Sequence, residues 1–230
     1  MKLVVAGCSF SDYMEKNSSV YGEQLAAFIG ATYIHEGAGS GSNWRVWRTV
    51  GNMIRKETIT RDDIVVVQYS NNERNEFWTA NPPDKQRIIN GVARNDLREP
   101  SHDDGALLRW KFDCHTWMGH PYPKEAKFAK MYEQNHVSVK FAQEQFDAHN
   151  IMFQALLRQH KIRCVFLRSR INQNFELDED FEATSYTEEK EDQLDESFRY
   201  EPKDVSHLND KGHYTLARKL NTHIKSLGWK

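Results

Sequence analysis

The stretch Lys2-Leu-Val-Val-Ala-Gly-Cys-Ser-Phe-Ser11 joins a short apolar run directly to a group of small residues. Leu3 to Ala6 has the length and branching of a strand that is buried on both faces, as in a parallel sheet covered by helices. Gly7 and Cys8 end this strand and lead into Ser9. Open α/β folds bind ligands at the carboxyl ends of such strands, so Ser9 is the first candidate functional residue.

A serine in this position also has a purely structural use. Its hydroxyl often caps the next helix by accepting a hydrogen bond from a free backbone N–H group. Ser11 and Asp12 are available for the same role. Ser9 alone is a weak motif, and its assignment depends on the rest of the chain.

The composition excludes several classes of protein. A chain of 230 residues suits one large domain, or one domain with an insertion. The formal net charge is -2, so no global basic field would recruit nucleic acid or an anionic membrane. We find no signal peptide and no run of ~20 apolar residues, and Cys8, Cys114 and Cys164 form no pairing framework. We expect a soluble cytoplasmic protein, with release by lysis or as part of a particle left open.

Strands and helices alternate along most of the chain. Apolar spacing predicts helices at 20–28, 44–56 and 136–160 and a final helix through 214–224. β-branched runs predict further strands at 32–35, 62–69 and 163–167. Trp44 and Trp47 in the second helix are interpreted as packing residues rather than a base-stacking platform.

Two regions do not follow this alternation. The region at about 75–135 is interpreted as an irregular, partly helical insertion over the edge of the sheet, because prolines interrupt it. The acidic region at about 176–196 is interpreted as a solvated loop or mobile flap. The sequence therefore predicts a single domain over 1–230 with a three-layer α/β/α fold, in which a flavodoxin-like parallel sheet has helices on both faces.

Polar residues follow four of the predicted strands and should meet at one edge of the sheet, since the carboxyl ends of parallel strands point the same way. Acyl transfer to Ser9 needs a base, a group that orients the base, and donors aimed at the developing oxyanion. Asp204 and His207 stand at i and i+3, which in a turn or first helical turn puts both on one side. The aspartate then orients the imidazole towards Ser9. The backbone N–H groups of Ser9 and Gly41 and the amide of Asn72 would form the oxyanion hole.

These motifs, in this order, resemble the SGNH (GDSL-like) hydrolase family of esterases, lipases, acetylesterases and thioesterases. Ala6-Gly-Cys-Ser-Phe10 is similar to the first block, whose serine is the nucleophile. The loop at 37–43 is similar to the second block, where a glycine N–H serves the oxyanion; its position favours Gly41, with Gly39 as the alternative. Residues 63–73 resemble the third block, with Asn72 at the oxyanion asparagine, and Asp204-Val-Ser-His207 matches the final Asp-x-x-His.

Several residues depart from the family pattern. Cys8 replaces the usual aspartate and is an alternative nucleophile, although we prefer to interpret it as a small buried hydrophobe. Ser70 replaces a glycine, and Glu73 stands where an aspartate is common. Arg74 can bind an anionic substrate or brace the loop through a carboxylate. Three tryptophans can line a sugar-binding cleft or pack within the insertion: Trp78, Trp110 and Trp117.

Other kinds of site fit the sequence less well. The chain contains residue types that can bind zinc, but their spacing matches none of the usual ligand patterns. These residues are His102, Asp103, Asp104, Cys114, His115 and His120. The loop at 37–43 lacks the Lys-Ser/Thr ending of a phosphate-binding loop. Phosphodiester chemistry would require a metal. A catalytically silent binding or structural protein, for example in a surface-recognition assembly, remains the alternative.

The resemblance thus predicts a serine esterase that removes an acyl group, such as acetyl, from a hydroxyl-bearing substrate such as a carbohydrate. It implies an acyl-Ser9 intermediate and no metal or organic cofactor. The substrate and the oligomeric state stay open.

Overall fold

A computed structural model describes residues 1–8, 11, 19–37, 42–70, 72, 75–78, 87–89, 92–94, 107–110, 139–168, 183–187, 199–200 and 204–229. Its helices are α1 (Tyr21–Ile29), α2 (Asn43–Arg55), α3 (Val139–Gln159) and α4 (Asp210–Ser226). Its strands are β1 (Lys2–Gly7), β2 (Thr32–Gly37), β3 (Ile64–Gln68), β4 (Asn75–Trp78), β5 (Arg87–Ile89), β6 (Val92–Arg94), β7 (Leu107–Trp110), β8 (Arg163–Arg168), β9 (Ala183–Thr187), β10 (Arg199–Tyr200) and β11 (Asp204–Leu208).

Five strands form a parallel sheet in the order β2-β1-β3-β8-β9. The chain passes from β1 to β2 on one side and then crosses back to β3 on the other side of β1. The winding of the sheet therefore reverses at β1, as in the 2-1-3-4-5 order of flavodoxin-like folds. The predicted α/β fold is confirmed.

The two central strands are buried because they are apolar on both faces. Leu3–Ala6 in β1 and Ile64–Val67 in β3 are all 0% exposed. Alternate residues of a strand face opposite sides of the sheet, so each strand contributes to two cores. Helices α2 and α3 pack in one core with Val4 and Val65, and helices α1 and α4 pack in the other with Leu3 and Val66. This arrangement gives the three layers.

Local signals set the ends of three helices. Gly30 ends α1 in the left-handed conformation, with φ 64°, which favours glycine. Ser42 caps α2 by accepting from the Arg45 N–H at 3.3 Å, and Asn209 caps α4 by accepting from the Gly212 N–H at 3.0 Å. No helix in the described parts of the chain is long and apolar enough to cross a membrane.

Short strands occur within both connecting regions. In the described parts of the 75–135 insertion, β4 pairs with β7 and β5 with β6, both antiparallel. The rest of this insertion, including the predicted helical part, lies outside the described residues. The acidic region predicted as a loop or flap contributes β9, which pairs with β8 at one edge of the parallel sheet. Ala183–Thr187 is an uncharged run containing two threonines and a tyrosine, which favour strand. The acidic composition of its surroundings obscured this short signal.

Candidate active site at the carboxyl edge of the sheet

The carboxyl ends of β1 and β3 lie side by side where the winding of the sheet reverses. Gly7 ends β1 two residues before Ser9, and Gln68 ends β3 four residues before Asn72. Open α/β folds bind ligands in the crevice at this switch point. Ser9 and Gly41 themselves lie outside the described residues, whereas residues that flank each of them are described.

Two glycines leave the space in which Ser11, two residues beyond Ser9, packs against the strand ends. Gly7 and Gly37 are paired at the ends of β1 and β2. A Cβ on Gly7 would lie 2.5 Å from Ser11 Oγ, and a Cβ on Gly37 would lie 2.5 Å from the Ser11 carbonyl oxygen. Ser11 also donates its N–H to the Cys8 carbonyl at 3.0 Å. Because only glycine leaves this space, both strand ends can hold Ser11 closely and fix the chain on each side of Ser9.

Ser11 belongs to a buried group of hydroxyl and amide side chains. Its Oγ donates to Gln68 Oε1, and the Tyr21 hydroxyl lies 2.9 Å from the same Oγ. All three side chains are buried, with Ser11 and Tyr21 0% exposed and Gln68 3%. We call Ser11, Tyr21 and Gln68 the serine network. Ser11 does not cap α1, which begins after Val20 without a side-chain cap. Residues 12–18, which directly follow Ser11, lie outside the described residues.

His213 of α4 anchors the same region to the opposite end of the chain. The Tyr21 N–H donates to His213 Nδ1 at 3.3 Å, and the two rings stack with centroids 6.0 Å apart. The imidazole is only 3% exposed. Accepting at Nδ1 requires that nitrogen to carry no proton, so His213 serves as a structural acceptor here.

A buried ion pair holds the ends of the glycine-rich loop. Glu36 precedes the loop and Arg45 follows it, and Arg45 Nη2 lies 3.3 Å from Glu36 Oε2. Arg45 Nη1 also donates to the Glu36 carbonyl. The two side chains are 7% and 8% exposed. No local pattern in the sequence marks Glu36 and Arg45 as partners.

Asn72 is held by amide side chains from both helices on its face of the sheet. Its Oδ1 accepts from Asn43 Nδ2 at 3.0 Å, and its Nδ2 donates to Gln143 Oε1 at 2.8 Å. Asn43 Oδ1 accepts from the Ser70 N–H at 2.7 Å, and Gln143 Nε2 donates to Asp147 Oδ1 at 2.8 Å. We call this chain of groups, from the Ser70 N–H through Asn43, Asn72 and Gln143 to Asp147, the amide relay.

The relay makes the Asn72 amide nitrogen a defined donor. An amide nitrogen carries two hydrogens, so its bond to Gln143 is compatible with a second bond directed at a ligand. This is the chemistry that the sequence assigned to Asn72, a donor to a developing oxyanion. The predictions did not include Asn43, Gln143 or Asp147. An asparagine at the start of α2 was the only available signal, and Gln143 is 71 residues from Asn72.

Aromatic side chains connect α2, Tyr69 and α3 close to the relay. Trp47 packs against the core and donates from Nε1 to the Tyr69 hydroxyl at 3.1 Å, which in turn donates to Asn150 Oδ1 at 2.8 Å. Burial raises the pKa of the Tyr69 hydroxyl well above its ordinary value of 10.0. Trp44 is 40% exposed and its ring contacts that of His149, with centroids 4.1 Å apart. The packing role predicted for Trp47 is thus confirmed.

Cys8 lies at the end of β1 and is only 1% exposed. A buried thiol in apolar surroundings behaves as a small hydrophobe, whereas reactive cysteines are partly exposed and electropositive. The preferred interpretation of Cys8 as a packing residue agrees with this burial. Cys164 is also buried, and burial raises the pKa of its thiol well above the ordinary 9.0.

Asp204 and His207 both belong to β11, which pairs with β10. The prediction that they lie in a turn or first helical turn is therefore wrong. The pairing is irregular here, since consecutive residues of β10 pair with Asp204 and Leu208. The two-residue period of a regular strand therefore does not determine whether Asp204 and His207 share a face. Leu208 is 6% exposed and packs in the core with α1 and α4, which anchors the end of this strand.

Gly39, Arg74 and Trp117 lie outside the described residues, as do the six candidate zinc ligands between His102 and His120. Trp78 of β4 pairs with Leu107 of β7, and Trp110 of β7 pairs with Asn75 of β4, so the two tryptophans lie at opposite ends of this pairing. Among the residues that the structure does describe, no group of three or more His, Cys, Asp or Glu could hold a metal ion.

A comparison with known families covers most of the chain. Residues 7–208 match a family described as "Family of unknown function (DUF6071)". The match spans every predicted site residue, from Ser9 to His207. No curated protein matches the chain significantly.

Proposed function

We propose that this chain, which belongs to the DUF6071 family, hydrolyses an ester bond through an acyl-serine intermediate on Ser9. His207 would take the hydroxyl proton of Ser9 and return it to the leaving alcohol, and Asp204 would orient the imidazole. Water would then hydrolyse the acyl-enzyme with His207 again acting as the base. The Ser9 and Gly41 N–H groups and the Asn72 amide would stabilise the oxyanion of both steps.

The observation that supports this proposal best is the placement of Asn72. Asn72 lies just beyond the end of β3. The neighbouring strand β1 leads into Ser9. Side chains from α2 and α3 fix which atom of the amide donates. A preorganised donor at the switch point of the sheet is what acyl transfer requires, since it stabilises charge without reorganising during the reaction.

The proposed substrate is an ester of a hydroxyl-bearing compound, such as an acetylated carbohydrate. The mechanism uses side chains and backbone groups of this chain alone, so it needs no metal or organic cofactor. Specificity would reside in the residues between β3 and α3 and between β8 and β11, because loops at this edge surround the site.

The proposal is tested by steady-state hydrolysis of an aryl acetate by the wild type, Ser9→Ala and His207→Ala. Loss of a nucleophile or base should lower kcat by at least about 10³-fold, and circular dichroism should show folded protein. Ser226→Ala and His160→Ala change exposed residues of the same types far along the chain and serve as matched controls. Substantial activity in both site variants would overturn the mechanism.

A further inference from the structure

We infer that Gln143 and Asp147 of α3 are positioning residues that set the direction of the Asn72 amide through the amide relay. This inference rests on the proposed function, because it concerns the donor assigned to the oxyanion. Neither residue needs to touch the substrate. Gln143 holds the Asn72 Nδ2 in place by accepting one of its hydrogens, and Asp147 keeps the Gln143 Oε1 turned towards Asn72. Asn43 by itself determines which atom of the Asn72 amide faces α2.

The two ends of the relay fix its polarity. The Ser70 N–H can only donate, and the Asp147 carboxylate in its ionised form can only accept. Asn43 must therefore turn Oδ1 to Ser70, and Gln143 must turn Nε2 to Asp147. Between them, Asn72 turns Oδ1 to Asn43 and Nδ2 to Gln143. Each amide has one orientation that makes all of these described hydrogen bonds.

Reversing one member brings like groups together. If Gln143 turned over, its Nε2 would face the Asn72 Nδ2, and two donors would meet without an acceptor. Asn72 cannot relieve this by turning over, because its Nδ2 would then face the Asn43 Nδ2. Asn43 is held in turn by both the N–H and the carbonyl of Ser70, at 2.7 and 3.0 Å, and is 3% exposed. A hydrogen-bond donor at position 147 would therefore turn the Gln143 amide over, and the Asn72 Nδ2 would lose the acceptor that holds it in place.

Asp147→Lys is the variant that reverses the end of the relay. A lysine donates and cannot accept, so Gln143 would turn its Oε1 to it and lose the bond to Asn72. We expect kcat for aryl acetate to fall by about 10-fold or more, since complete loss of an oxyanion donor costs about 10²–10³. KM should stay within about twofold, because the donor acts mainly on the transition state.

A matched control and a rescue separate positioning from general damage to α3. Glu144→Lys makes the same change of charge one turn earlier, at a side chain that is 63% exposed and pairs only with Lys140 among the ion pairs described. Its kcat should stay within about twofold of the wild type. In the double variant Gln143→Glu/Asp147→Lys, the lysine would donate to a carboxylate that also accepts from Asn72, as favourable i,i+4 pairs do. That variant should recover kcat to within about threefold.

The outcomes decide between positioning and a structural role. A fall in Asp147→Lys that the double variant restores supports the inference, whereas equal effects of Asp147→Lys and Glu144→Lys, or no rescue, would overturn it. If the wild type has no esterase activity, the proposed function fails separately. The relay is then judged from the Asn72 side-chain amide signals in ¹⁵N spectra. These signals should move in Asp147→Lys, stay in place in Glu144→Lys and return in the double variant; any other pattern rejects the relay.

Discussion

The serine network and the amide relay lie at the same edge of the sheet and are built from similar side chains, but they differ in burial. Every member of the serine network is at most 3% exposed. The relay begins at the buried Asn43 and continues through Asn72, Gln143 and Asp147, all half-buried. The first network closes the space around the chain next to Ser9. The second extends from the buried Asn43 to half-buried side chains on α3.

This difference suggests a division of roles. A buried hydrogen bond contributes mainly to stability, because an unsatisfied partner cannot turn to water. A half-buried amide can exchange partners with solvent, so its removal costs less stability while its direction still affects a ligand. We therefore expect substitutions in the serine network to lower the free energy of unfolding, and substitutions at the open end of the relay to lower the rate of catalysis.

The largest expected effect is that of Asn72→Ala on catalysis. Removal of one oxyanion donor should lower kcat by about 10²–10³, equivalent to about 2.7–4 kcal/mol of activation free energy. The free energy of unfolding should fall by less than about 1 kcal/mol, since Asn43 keeps its two bonds to Ser70. Kinetics and urea denaturation on one preparation measure both. A large loss of stability with nearly normal kcat would reverse the proposed division.

Ser11→Ala should have an intermediate effect, and mainly on stability. The variant removes the donor to Gln68 and the neighbour of the Tyr21 hydroxyl, and a buried group left without a partner costs about 1–3 kcal/mol. Tyr21→Phe should cost less, because Ser11 still donates to Gln68. Urea denaturation measures both variants. A normal free energy of unfolding for Ser11→Ala, with kcat lowered more than about tenfold, would show that the serine network acts in catalysis instead.

The smallest effect concerns Tyr69, the buried residue next to the relay. Its pKa is raised by burial, so the unfolded chain loses this proton at lower pH than the folded protein. The stability from Tyr69 is therefore complete below about pH 10 and declines as the pH rises towards its folded pKa. Above about pH 10 the free energy of unfolding of the wild type should therefore fall more steeply with pH than that of Tyr69→Phe. Parallel curves in denaturation at each pH would contradict this.

The fold could be predicted from the sequence because its signals are local and repeated. The apolar runs of β1 and β3 require burial on both faces, and the helical spacing of Val50 and Ile54 identifies a side that the structure buries to 0% and 4% exposure. The strand β9 could not be found in this way. Its five residues are surrounded by acidic ones, and its place in the sheet depends on pairing with β8.

The candidate site was only partly predictable, for a related reason. Asn72 could be proposed as a site residue because it lies four residues beyond the end of a clear strand. Its partners could not, since Gln143 and Asp147 lie on a helix that follows the 75–135 insertion, and nothing local marks a glutamine as a partner for a distant asparagine. Gln68 was a weak signal, as a polar residue within an apolar strand, and its partner Ser11 is 57 positions away.

The central claim, an activated Ser9, is tested most directly by intact-mass analysis after treatment with a fluorophosphonate. The wild type and Ser9→Ala would be treated side by side, with and without EDTA. We predict a single adduct on the wild type that is absent from Ser9→Ala and unaffected by the chelator. A folded wild type that forms no adduct, or an adduct that persists in Ser9→Ala, would contradict the account.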